Sequence, residues 1–130
     1  MAFSTTFANL LLDWGFTAGT AVRPTAWYVS LHTGDPGTTG ANEVLVATDA
    51  DYVRKSVTYG AASGGANAST GAVSWTVNSG SAGYTVTHAG IWSASTAGTF
   101  YIGGALASPR TLAALGVLTF EIGEVIAALS

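Results

Sequence analysis

His32 and His88 are the only imidazoles in this chain, and seven carboxylates accompany them. Together with Asp35, Glu43 or Asp51 they could make a metal site or an acid–base pair, because neutral imidazole and carboxylate oxygen both bind zinc and carry protons. Neither histidine stands in an HxH or HExxH spacing. His88 lies between apolar strand residues and is expected to be a hydrogen-bonded core or interface histidine. His32 opens a turn-rich loop and is expected to fix loop backbone rather than hold a metal. Glu121 and Glu124, three residues apart across a strand–turn–strand, face different directions and do not form a glycosidase pair. There is no GxSxG elbow, Walker loop or dinucleotide fingerprint, and Gly64-Gly65 and Gly103-Gly104 are not followed by helices. With no cysteine, disulfides and thiolate metal sites are excluded. The expectation is a non-enzymatic protein with no cofactor and no metal.

The aromatic residues offer a second chemistry. Trp27, Trp75, Trp92, Tyr28, Tyr59 and Tyr101 could stack against sugar rings. In a β domain with this spacing they read more naturally as core or subunit-interface residues.

The bulk numbers narrow the class. The chain has 130 residues, enough for one domain with a real core. Only 8% of residues are charged and 48% are hydrophobic, with a mean hydropathy of +0.41, where ordinary domains carry about a quarter charged residues. Such a surface is expected to be covered by other chains in an assembly. The net charge of −3 argues against nucleic acid, because Arg54 and Lys55 are the only adjacent basic pair. No secretory leader is visible, and the apolar runs fall short of the roughly 20 residues that span a bilayer.

The elements that must position these residues follow from periodicity. Ser4 is a candidate N-cap, and Phe3, Phe7, Leu10, Leu11 and Trp14 follow at helical spacing, predicting a helix over 5–14 that stops at Gly15. Residues 19–24 read as a linker into a strand over 26–31. Residues 32–44 form a long ordered loop around Gly34, Asp35, Pro36 and Gly37, in which His32, Asp35, Asn42 and Glu43 are the expected ordering groups. Val44 to Val46 reads as a short edge strand, residues 52–59 as an alternating strand, and residues 61–71 as a loop. Residues 72–77 present Val73, Trp75 and Val77 on one face. Residues 84–106 form an apolar hairpin around a Ser/Thr/Gly turn, which needs other strands to cover it. A turn is expected at Ser108, Pro109 and Arg110, and strands over 116–122 and 124–129. The whole is a mainly β, single-domain antiparallel β-sandwich or jelly-roll-like fold with a short N-terminal α-helix (1–15) and a β core over 25–129.

Several segments together resemble a family of small tailed-bacteriophage virion proteins, described as tail-fibre-like or as head-decorating. They are Trp27-Tyr28-Val29-Ser30-Leu31-His32-Thr33-Gly34-Asp35-Pro36-Gly37, Gly40-Ala41-Asn42-Glu43-Val44, Tyr52-Val53-Arg54, Val86-Thr87-His88-Ala89-Gly90-Ile91-Trp92 and Gly103-Gly104-Ala105-Leu106. Where the family pattern has an Asn/Gly-Asp turn, Leu112-Ala113-Ala114-Leu115-Gly116-Val117 is more apolar, and extra burial is expected there. The resemblance implies a non-enzymatic building block.

The expectation that follows is a capsid decoration (cement) protein on the virion exterior, made in the host cytoplasm. It would self-associate as a trimer or dimer and clamp the major capsid protein. The alternative is a tail-fibre or tail-tip component contacting tail proteins and the host surface, the one setting in which a glycan would be bound. Neither reading involves nucleic acid or a membrane. Candidate partner-contact residues are Phe3, Phe7, Leu10 and Trp14 on the helix, and Val125, Ile126 and Leu129 near the end of the chain, because apolar residues there are unusual.

Overall fold

A computed structural model describes residues 2–17 and 21–129 of the chain. Part of the linker expected over 19–24 lies outside the described residues. The fold is mainly β and antiparallel, in a sandwich-like arrangement with one short helix. Strand β1 (Ala2–Phe3) leads into α1 (Thr5–Phe16), followed by β2 (Trp27–His32), β3 (Lys55–Val57), β4 (Ala66–Ala68) and β5 (Val73–Thr76). The central hairpin is β6 (Tyr84–Trp92) and β7 (Phe100–Leu112), and β8 (Val117–Phe120) and β9 (Ile126–Ala128) complete the chain. A five-stranded sheet has the order β1-β7-β6-β2-β3, and two ribbons pair β5 with β8 and β4 with β9.

Local chemistry sets the helix start. The Ser4 hydroxyl accepts from the Phe7 amide at 3.1 Å, and the Ser4 amide donates to the Tyr101 carbonyl at 2.7 Å, fixing α1 against β7. The helix continues through Gly15 to Phe16, two residues beyond the expected end, and closes where the Thr17 amide donates to the Asp13 carbonyl. Its inner face meets the sheet through an aromatic cluster: Phe7 lies 5.5 Å from Phe3, 5.9 Å from Trp27 and 4.9 Å from Tyr101, centroid to centroid. Such edge and tilted pairs add to what burial of the rings contributes.

The core runs between the sheet and the β5–β8 ribbon. Val29 and Leu31 on β2 and Val86 on β6 face Trp75 and Val77 on the β5 side and Leu118 on β8, all buried in one cluster. Val73, Trp75 and Val77 share a buried face, as their alternation predicts.

Several boundaries depart from the sequence reading. Ser108, Pro109 and Arg110 do not form a turn between strands; they belong to β7. Val86 pairs with Arg110 and His88 with Ala105, so residues 106–109 bulge opposite Thr87 alone. Proline is tolerated there because β1 covers β7 only at Ile102 and Gly103, leaving the outer edge at Pro109 free of ladder bonds. Val44 to Val46 is not a strand: the Val44 amide donates to Leu31, but the chain then turns, with the Asp49 amide donating to Leu45. The strand expected over 52–59 narrows to Lys55–Val57, and that over 124–129 to Ile126–Ala128. The expected loop over 61–71 contains β4, because Gly64 and Gly65 turn the chain back between Ser63 and Ala66. The extra burial expected over 112–117 is not found beyond Leu112, since Leu115 and Val117 stand exposed in and after the turn into β8.

Candidate functional site

The polar chemistry of the chain converges where the loop of residues 33–44 leaves β2. His32 is fully buried, and both ring nitrogens are committed. Nδ1 lies 2.6 Å from the Ala41 carbonyl and Nε2 lies 2.7 Å from Ser30 Oγ. A carbonyl only accepts, so Nδ1 carries the proton and Nε2 receives the Ser30 hydroxyl proton. Ser30 Oγ in turn accepts the Trp92 indole N–H at 2.9 Å. This relay joins the loop, β2 and β6. Two glycines make room for it: Gly40 sits at φ +79 against the Trp92 ring, which a Cβ would overlap, and a Cβ on Gly90 would lie 2.7 Å from Ser30 Oγ.

The rest of the loop is ordered by its own side chains. Asp35 Oδ1 accepts from the Gly37 amide at 2.8 Å, and Asn42 Nδ2 donates to the Asp35 carbonyl at 2.9 Å. Glu43 closes the far end, bridging to His32 across the backbone. Its carboxylate receives a two-pronged guanidinium from Arg54, Nε to Oε1 and Nη2 to Oε2, both at 2.8 Å, and the Tyr52 hydroxyl at 2.9 Å. Arg54 Nη1 also donates to the carbonyls of Ala94 and Ala97 in the β6–β7 turn, and its guanidinium carbon lies 3.6 Å from the Trp92 ring centroid. Planarity lets one arginine do all of this at once. Tyr52 completes the tie by accepting from the Leu31 amide at 3.0 Å.

A second buried carboxylate, Asp49, accepts from the Asp51 and Asn78 amides and from the Tyr84 hydroxyl. Every partner it has is a donor holding a turn, which is structural chemistry rather than a reactive arrangement. Among the described residues no group of three or more His, Cys, Asp or Glu side chains could hold a metal. Glu121 and Glu124 meet only as a turn, the Glu121 amide donating to Glu124 Oε2. Of the six aromatic residues, Trp75 and Tyr101 are buried and Arg54 covers Trp92, while the partly buried Trp27, Tyr28 and Tyr59 line one open groove.

The candidate contact residues divide. Phe7 is buried, and Phe3, Leu10 and Val125 pack against this chain's own core. Trp14, 72% exposed, continues the stripe of Phe7, Leu10 and Leu11 into the uncovered last turn of α1, where Leu12 and the 88% exposed Phe16 stand on the opposite side. Ile126 and Leu129 are exposed at the other end of the chain. Between α1, β3 and β9 lies an open groove of about 680 Å³ lined by Phe3, Phe7, Trp27, Tyr59 and Ala127. The Tyr59 hydroxyl beside it is buried without a hydrogen-bond partner among the described residues.

A protein-family model described as Podophage GP4 fiber I protein gp80 matches residues 2–128. The chain belongs to this family. It is therefore a phage virion structural protein of tail-fibre-like character. No match was found among curated proteins.

In this fibre-family fold the segments at 27–37, 40–44, 52–54 and 86–92 meet in the clamp just described. Ser30, Tyr52, Arg54, Trp92 and Asp49 are the residues that sequence reasoning missed as a unit. One signal was available for Arg54 and Glu43: a chain with only four basic residues seldom leaves one in an alternating strand without a partner. For Asp49 only the turn to the Asp51 amide is local; its other partners come from positions 29 and 35 residues away.

Proposed function

We propose that this chain is a fibre-associated structural subunit of a tailed phage particle, on the particle's exterior, and that it assembles through apolar contacts with copies of itself or with neighbouring tail proteins. The observation that supports the fibre position is the family match, which runs over nearly the whole chain under a fibre description. The assembly is supported by the surface: Leu12, Trp14 and Phe16 make the last turn of α1 an uncovered apolar flank, which an isolated particle of this low charge would present to water. A β scaffold with an internally clamped loop suits a load-bearing part.

The same flank would equally serve a shell-decorating subunit bound to the major capsid protein, and copy number separates the two. Mass-spectrometric stoichiometry of purified virions should give few copies per particle, fractionating with tails after the heads are disrupted. A copy number scaling with the capsid lattice, retained on tailless heads, would overturn the fibre reading in favour of decoration.

A further inference from the structure

The bonds at His32 form a closed set only while the ring is neutral. Nδ1–H donates to Ala41, Nε2 accepts from Ser30, and Ser30 accepts from Trp92. A proton added at Nε2 turns that acceptor into a donor. Ser30 Oγ can accept from both Nε2–H and the Trp92 indole, but its own hydroxyl proton loses the acceptor that Nε2 supplied, in a site that Gly90 and Phe100 crowd.

The surrounding charges do not compensate an imidazolium. Glu43, at the end of the loop, favours it, but that carboxylate is already shared by Arg54 and Tyr52. Arg54, from the segment before β3, and His88, opposite on β6, both oppose it. Asp35 is engaged by the Gly37 amide within the loop, and β7 contributes the uncharged Phe100. Burial is the largest influence and holds the His32 pKa below the ordinary 6.5.

We propose that His32 is an acid-operated latch, whose protonation reverses the bond to Ser30 and loosens the loop of residues 33–44 while the β core stays folded. The Nδ1 bond to Ala41 survives protonation, whereas Nε2 changes from acceptor to donor, strands the Ser30 hydroxyl proton and leaves a charge in the buried site. The seat of the ring on Ser30 therefore weakens, and with it the loop base that Ala41 ties to the ring. In the released loop His32 has its ordinary pKa; in the clamped loop it is lower. The clamped form is therefore favoured fully above about pH 6.5 and loses ground as pH falls below it. Whether the chain sits on a fibre or a shell does not enter this inference.

The test uses the full chain, labelled with nitrogen-15, followed from roughly pH 7.5 to about 4.5. The His32 ring should show the Nδ1–H tautomer at neutral pH and titrate below the ordinary histidine range. Amide exchange over residues 33–44, corrected for intrinsic rates, should rise on the order of tenfold or more with the same midpoint. The Trp92 indole resonance should shift with it, while β5 and β8 amides stay protected. His32→Gln should flatten the pH dependence, and His88→Gln should leave it in place. If His32→Gln does not fold, the coincidence of midpoints in the natural sequence decides. Exchange of loop and core amides together, loop exchange unaffected while His32 titrates, or loss of the response in His88→Gln would each overturn the latch.

Discussion

Arg54 shows what a single side chain can organise here. Its guanidinium and the Glu43 carboxylate are only 9% and 19% exposed, so removing one leaves the other poorly solvated and unpaired. Arg54→Met should lower unfolding free energy by about 3 kcal/mol, whereas Arg54→Lys should recover only part, because an ammonium cannot make the planar fork. Urea titrations of the two variants check both values. Equal stability of Arg54→Lys and the natural chain would show that the fork contributes nothing.

Tyr59 is the opposite case. Its hydroxyl is buried without a partner among the described residues, so Tyr59→Phe removes a desolvation cost and should stabilise the fold by about 1 kcal/mol, read from the same titrations. Burial also pushes its pKa up to about 12. Burial raises Tyr52 and Tyr84 too, with Glu43 and Asp49 as accepting neighbours that favour the protonated phenols. For an acid whose pKa is raised by folding, the stabilisation is complete below the unfolded value of 10.0 and is lost as pH rises above it. Alkaline unfolding should therefore begin above about pH 10, with the tyrosinate absorbance of Tyr52, Tyr59 and Tyr84, read as the part lost in their Phe variants, appearing together with loss of circular dichroism rather than before it.

At the scale of elements, α1 has two unlike ends. Phe7 anchors it in the core and β1 pairs with β7, so deleting residues 1–14 removes a strand and a core ring as well as any contact surface. Phe7→Ala alone should cost about 3–5 kcal/mol. The exposed flank at the last turn of α1 is separable. Trp14→Ser combined with Phe16→Ser should leave thermal stability nearly unchanged, since both side chains face water in the single chain. The same pair should abolish oligomers seen by sedimentation, or binding to particles. Unchanged assembly in the double variant would remove the flank from the interface.

For the whole molecule, the described residues give no metal cluster, and packing plus hydrogen bonds account for every element. Prolonged chelation should leave the melting temperature unchanged, and metal analysis of purified protein should find nothing stoichiometric. A drop in melting temperature reversed by one added divalent cation would show a binding site beyond these residues.

The sequence by itself determined what depends on neighbours along the chain. The Ser4 cap, the alternation of Val73, Trp75 and Val77, and the Ser/Thr/Gly turn of the central hairpin are local statements. So are the turn chemistry of Asp35 and Gly37 and the absence of cysteine. It also carried, through the segments from Trp27 to Leu106, the family to which the chain belongs. Only the tertiary structure decided the rest. Residues 66–68 become a strand because β9 offers a partner edge, and Pro109 can lie in β7 because nothing pairs with its outer side. Leu115 and Val117 stay in water because their turn points away from the core. The clamp around His32 joins residues 9, 11, 40 and 62 positions apart. Hydrogen bonds over such separations leave no period in a sequence, because their geometry exists only after the sheet has brought the strands together.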